Sequence, residues 1–104
     1  MKILLIGLML LGLAAPVQSN DLCNALSSAA EAAMKGRQSG LSKSTLESVM
    51  RDVTTDANQR RLVQELIDRA YEVPRRNTEA RRNAEVRQYS ALWESACYKS
   101  IAGQ

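Results

Sequence analysis

The sequence contains no histidine and only two cysteines among its 104 residues. Without histidine, the chain lacks the usual base of a catalytic triad and the commonest metal ligand in proteins. If the two cysteines pair with each other, thiol nucleophiles and cysteine-ligated zinc are excluded as well. No catalytic motif stands out. We therefore expect a protein that is not an enzyme, with no catalytic residues, no cofactor and no metal site.

Carboxylate pairs are the remaining candidates for acid–base chemistry. Glu65 with Asp68, or Glu79 with Glu85, would serve if a cleft held them together. Charged residues on helix surfaces are usually solvated or paired, and Arg82 stands three residues from both Glu79 and Glu85, where it can pair along a helix. The sequence therefore favours a structural use of these carboxylates.

The N-terminus has the three regions of a secretory signal peptide. Lys2 precedes an apolar run over residues 3–15, which is followed by Pro16 and the small residues Val17 and Ser19. Thirteen helical residues span about 20 Å, too short for a bilayer core of roughly 30 Å. We predict a signal peptide over residues 1–19, cleavage before Asn20, and a periplasmic or secreted chain with no stable membrane anchor.

Charge is spread unevenly along the remaining chain. Residues 20–56 carry 4 basic and 5 acidic side chains, whereas residues 57–104 carry 9 and 6. Such a modest excess of arginine does not require a nucleic-acid partner, and none is expected. The basic residues form a cluster of Arg75, Arg76, Arg81, Arg82 and Arg87, which is either a recognition surface or a solvated helix face.

Two helices are predicted in the first half of the mature chain. The first starts near the N-cap Asp21 and ends at Gly40, which suits the left-handed position after a helix. The second follows Ser42, with Leu41 and Leu46 placed as a hydrophobic staple. The apolar positions at helical spacing, expected to face the core, are Leu22, Cys23, Leu26, Ala30, Ala33, Met34, Leu46, Val49, Met50 and Val53.

Two further helices follow. Asp56 and Gln59 resemble a capping box for the third, which ends before Pro74. Asn77 or Thr78 caps the fourth, which runs to about residue 101. The inward positions of this half are Leu62, Val63, Leu66, Ile67, Ala70, Tyr71, Val86, Tyr89, Trp93, Ala96 and Cys97. The aromatic members are either core residues or the lining of a ligand pocket.

These elements predict an all-α fold: a single domain over residues 20–104, built as a small four-helix up-down bundle closed by one disulfide. An even number of helices places both chain ends together, and Cys23 and Cys97 then lie at similar depths in the first and last helices. A domain of this size is marginally stable, so a Cys23–Cys97 bond would matter.

The same topology brings the turn after the first helix beside the turn after the third. Candidate partner-binding residues at this end are Arg37, Gln38, Tyr71, Arg75 and Arg76, with Lys43 nearby. The alternative is that Arg37 and Gln38 serve only the open carbonyl groups at helix C-termini.

A combination of short motifs resembles a set of small secreted proteobacterial and phage-associated helical proteins of unassigned function. The motifs are Cys23, residues 34–40 (MKGRQSG), residues 70–75 (AYEVPR), and Tyr89 and Trp93 before Cys97. The resemblance implies the helical fold and the disulfide, and it implies no reaction.

Two function classes remain. The first is binding of an envelope protein, as an inhibitor, immunity protein, adaptor or chaperone-like factor. The second is binding of an anionic envelope component through the arginine-rich end.

Overall fold

The structure is a computed structural model that describes residues 16–102 apart from residue 55; most of the predicted signal peptide lies outside this range. Its four helices are α1 (Pro16–Gln38), α2 (Lys43–Asp52), α3 (Ala57–Ala70) and α4 (Glu79–Ala102). No strand occurs in the described residues, so the predicted all-helical class is confirmed. None of the described helices is long and apolar enough to cross a membrane.

The helix ends follow from local chemistry. Ser42 caps α2 by accepting a hydrogen bond from the Thr45 amide at 3.2 Å, and Thr78 caps α4 through the Arg81 amide at 3.2 Å. Asp56 caps α3, but through the Asn58 amide and not through Gln59 as a capping box would require. α1 is described from Pro16 onward, so it already includes residues that precede the predicted start near Asp21.

α1 ends in a Schellman motif that depends on Gly40. The Leu41 amide donates to the Gly36 carbonyl at 3.0 Å, and the Gly40 amide donates to the Arg37 carbonyl at 3.1 Å. Gly40 has φ +88°, a left-handed conformation that strains residues with a Cβ atom. The predicted role of Gly40 is therefore confirmed.

α1 is the element against which the others pack. It lies along α4 and also contacts α3 and α2, while α2 packs against α3. Cys23 is bonded to Cys97 with a Cα–Cα distance of 5.5 Å, which confirms the predicted disulfide. Ser27 and Ser90 share a hydrogen bond of 2.7 Å, so the middle of α1 lies beside the middle of α4.

The core holds small and medium side chains around α1. Its buried members are Ala30, Ala33, Met34, Leu46, Met50, Leu66, Ile67, Ala70, Val86 and Tyr89. The predicted inward positions Leu22, Val49, Val53 and Ala96 are wrong, because all four are exposed. In the ten-residue α2, Leu46 and Met50 make the contact with the core, which leaves Val49 and the C-cap residue Val53 on the solvent side.

Candidate functional site

The structure brings all five predicted candidate residues into one cluster, which we call the two-turn cluster (Arg37, Gln38, Tyr71, Arg75 and Arg76). The end of α1 supplies two of them and the α3–α4 connection supplies the others. The side chains bridge about 36 residues of sequence through hydrogen bonds between the two turns. The juxtaposition expected from the helix order is therefore present.

Gln38 joins the two turns from a buried position, with only 2% of its surface exposed. Its Nε2 donates to the Pro74 carbonyl at 3.0 Å, and its Oε1 accepts from the Arg76 amide at 2.8 Å. The amide group thus satisfies one acceptor and one donor of a loop that has no regular backbone partners there. A buried side chain used in this way is a structural element, not a free recognition group.

Arg37 and Tyr71 form the next layer of the cluster. The Arg37 guanidinium carbon lies 5.3 Å from the centre of the Tyr71 ring, in cation–π geometry, and Arg37 Nε donates to the Val73 carbonyl at 2.8 Å. The Tyr71 hydroxyl donates to the Leu41 carbonyl at 2.7 Å. Burial raises the pKa of Tyr71, and the Arg37 charge opposes this to a smaller extent.

Arg75 and Arg76 are also engaged inside the molecule. Arg75 Nε donates to the Gln38 carbonyl at 2.7 Å, at the C-terminal end of α1, while Arg76 forms an ion pair with Glu85 at 2.7 Å. The carbonyl-capping alternative that the sequence left open thus describes Arg75, and Arg37 serves the loop after α3. Changing Arg75 and Arg76 together would remove these contacts, so we expect that pair of changes to destabilise the fold.

Two further charged candidates, Lys43 and Glu65, are paired as well. Lys43 lies 2.9 Å from Asp68, whose pKa is lowered chiefly by the hydrogen bond from Lys43 and then by one from Gln64. The same hydrogen bond raises the pKa of Lys43. Glu65 pairs with Arg69 at 3.2 Å. Within the described residues, no group of three or more Cys, Asp or Glu side chains is arranged to hold a metal ion.

Arg82 departs from its predicted pairing along the helix. It donates from Nε to the Arg76 carbonyl at 2.8 Å and from Nη2 to the Asn77 carbonyl at 3.4 Å. Together with Arg75 it lines a cleft of about 480 Å³ between α1 and the start of α4. We call this the basic cleft; its other polar side chains are Lys35, Gln38, Ser39, Glu79 and Asn83.

A second concavity, which sequence reasoning missed, lies between α3 and α4. This α3–α4 groove encloses about 530 Å³. Its apolar lining is Met34, Val73, Tyr89, Leu92, Trp93 and Ala96, and its polar lining is Glu65, Arg69, Glu85 and Gln88. The groove exists because α3 and α4 both pack against α1 and make little contact with each other over their described lengths.

Tyr89 and Trp93 form the wall of the groove. Their rings meet edge to face with centroids 6.3 Å apart, and the Tyr89 hydroxyl donates to the Leu66 carbonyl at 2.5 Å. Burial raises the pKa of Tyr89, and the neighbouring Trp93 N–H lowers it by less. That indole nitrogen is buried and lies near the hydroxyl, but it makes no hydrogen bond of good geometry.

One feature of the sequence could have indicated the α3–α4 groove, namely the outward position of Leu92 on the fourth helix. Leu92 is absent from the predicted inward stripe of the fourth helix, yet it stands next to Trp93 and is 62% exposed. Leu92 and the partly exposed Trp93 together add exposed apolar surface at the α3–α4 groove.

No protein-family model, curated protein or solved structure matches this chain.

Proposed function

We propose that this chain is a small, secreted, non-enzymatic protein that binds another protein of the cell envelope. The α3–α4 groove carries this proposal, because it is the larger and more apolar of the two concavities described above. We further propose that the four helices follow one another in up-down order. The pairing of Cys23 with Cys97, Lys43 with Asp68, and Gln38 with the α3–α4 loop supports that order.

The occupant that suits the groove is an amphipathic helix of the partner. The α4 side of the groove extends from Glu85 to Ala96. At 1.5 Å per residue these positions cover roughly 16 Å, or about three helical turns. Two helices that are held apart by a third leave a channel into which another helix can lay its apolar face. Leu92 and Trp93 would be the main contacts.

The charges at the edge of the groove favour apolar anchoring over charge recognition. Glu65 is paired with Arg69, and Glu85 is paired with Arg76, so each carboxylate there already has a cation. Surface ion pairs of this kind contribute little net binding energy and are screened by salt. We therefore expect the partner to be retained when the salt concentration is raised.

The groove is tested with Leu92→Arg, using Leu22→Arg as the matched control. Both leucines are exposed, at 62% and 50%, but only Leu92 lines the groove. A photo-crosslinker at Gln88 should capture an envelope protein at a helical segment. Leu92→Arg should weaken this capture at least tenfold, about 1.4 kcal/mol, because it places a charge against the apolar face of the partner.

The control should bind like the parent protein, and both variants should keep a free energy of unfolding within about 0.5 kcal/mol of the parent, as surface changes do. Equal capture by Leu92→Arg and Leu22→Arg would rule the groove out. Loss of capture when the salt concentration is raised from low to physiological would also rule the groove out, since such a loss indicates charge recognition.

The proposed secretion predicts the residue at which the mature chain begins. Mass spectrometry of protein recovered from the periplasm should show a chain that starts at Asn20 and is two hydrogens lighter than its reduced form. Disulfides persist in oxidising compartments, so the Cys23–Cys97 bond supports this location. Recovery of a chain that still starts at Met1, or of two free thiols, would contradict the proposal.

A further inference from the structure

We propose that the basic cleft is a second site, which binds the phosphate group of an anionic envelope component. The cleft lies between the second half of α1 and the first half of α4, and it encloses about 480 Å³. No residue lines both this cleft and the α3–α4 groove. The basic cleft is therefore separate from the α3–α4 groove, although an envelope ligand presupposes the secretion proposed above.

Two arginines of the cleft are held in place by backbone carbonyl groups. Arg75 donates from Nε to the Gln38 carbonyl at 2.7 Å, and Arg82 donates from Nε to the Arg76 carbonyl at 2.8 Å. Each bond uses the Nε–H donor of the guanidinium group and restricts its position. Fixed guanidinium groups lose less conformational entropy when an anion binds, which favours affinity.

Gly40 contributes to the position of Arg75. The guanidinium carbon of Arg75 lies 3.6 Å from the point where a Cβ atom on Gly40 would stand. The guanidinium group therefore lies over the bare backbone of the turn. The glycine that the Schellman motif requires also leaves the space in which this arginine rests.

Neither arginine has a carboxylate partner. The four ion pairs among the described residues use Lys35, Lys43, Arg69 and Arg76 as their cations. Capping of carbonyl groups accounts for the Nε atoms of Arg75 and Arg82 and for Nη2 of Arg82. It does not account for two guanidinium groups that line one cleft without a counter-ion.

The other side chains of the cleft add charge and hydrogen-bond donors. Lys35 brings a third cation, whose pairing with Glu31 is long, at 3.6 Å, and exposed. Asn83 can donate hydrogen bonds, whereas the Ser39 hydroxyl already donates to the Lys35 carbonyl at 2.5 Å, and Glu79 is the one carboxylate in the lining. Three cations against one carboxylate favour a doubly charged oxyanion over a single carboxylate, and arginine matches phosphate geometry in two-point contacts.

The test uses the oxidised protein with inorganic phosphate, followed by ¹⁵N chemical shifts, and with vesicles of phosphatidylglycerol or phosphatidylcholine, followed by co-sedimentation. We expect phosphate to move the amide signals of Ser39 and Asn83. Arg82→Gln should weaken phosphate binding at least tenfold, whereas Arg87→Gln, on an exposed position of α4 outside the cleft, should leave it unchanged.

The vesicle arm identifies the source of the phosphate. Binding to phosphatidylglycerol vesicles that is lost in Arg82→Gln would assign a lipid headgroup, and binding of inorganic phosphate alone would assign a free phosphate compound. If Arg82→Gln unfolds early, Asn83→Asp replaces it, because that change adds a negative charge to the cleft and should weaken binding similarly. Equal binding by Arg82→Gln, Asn83→Asp and Arg87→Gln, or equal affinity for acetate, would overturn the proposal.

Discussion

Replacing Cys23 and Cys97 with serine is expected to lower the free energy of unfolding by about 2 to 5 kcal/mol. The bond joins cysteines that are 74 positions apart and nearly fully buried. Removing the bond opens a long closed loop and so raises the conformational entropy of the unfolded chain. A domain of this size is only marginally stable, so the change is a large part of its free energy of unfolding. Two buried hydroxyl groups would also replace the sulfur atoms without assured partners.

Urea unfolding followed by circular dichroism measures this effect. The double serine variant should unfold at a lower midpoint, and its denaturant dependence should become steeper, because the uncrosslinked chain exposes more surface. Ser27→Ala with Ser90→Ala is the matched control. That pair lies on the same α1–α4 interface and loses one hydrogen bond of 2.7 Å, worth about 1 kcal/mol. An unchanged midpoint in the serine variant would show that packing alone holds α1 to α4.

Replacing Gln38 with alanine is expected to lower the free energy of unfolding by about 2 to 4 kcal/mol. The side chain is 2% exposed, and it serves the Pro74 carbonyl and the Arg76 amide at once. Each polar group left buried without a partner costs about 1 to 3 kcal/mol. The α3–α4 loop should loosen first, because these are its bonds to α1.

Gln88→Ala is the control for this change, since Gln88 is an exposed glutamine within α4 and should alter stability by no more than about 0.5 kcal/mol. Hydrogen exchange at the Arg76 amide gives a local readout. It should speed up strongly in Gln38→Ala and stay unchanged in Gln88→Ala. A Gln38→Ala variant with parental stability and a protected Arg76 amide would mean that water or repacking replaces the glutamine.

Features decided by neighbouring residues could be predicted from the sequence. Ser42 and Thr78 cap their helices, and Gly40 adopts the left-handed conformation, because each of these acts within a few residues of its own position. The disulfide could be predicted because two cysteines allow only one intramolecular pairing. The two turns were placed together by counting helices, a consideration that needs no side-chain detail.

Features decided by packing distance could not be predicted. The α3–α4 groove depends on how far apart α1 holds its two neighbours, and no periodicity encodes that spacing. Arg82 was predicted to pair with Glu79 or Glu85 along the helix. It donates instead to Arg76 and Asn77, because the loop folds back over the start of α4 and presents carbonyl groups that a sequence does not show.

The disulfide also decides how the protein would respond to mechanical force. It links the chain near both ends of the predicted mature domain, at Cys23 and Cys97. A pull applied to the two termini would pass through the sulfur atoms, so the core helices would carry almost none of the tension. Only the short segments outside the closed loop would extend. A machine that unfolds proteins by drawing an end through a narrow pore would have to accommodate two strands at once, or wait for reduction of this bond.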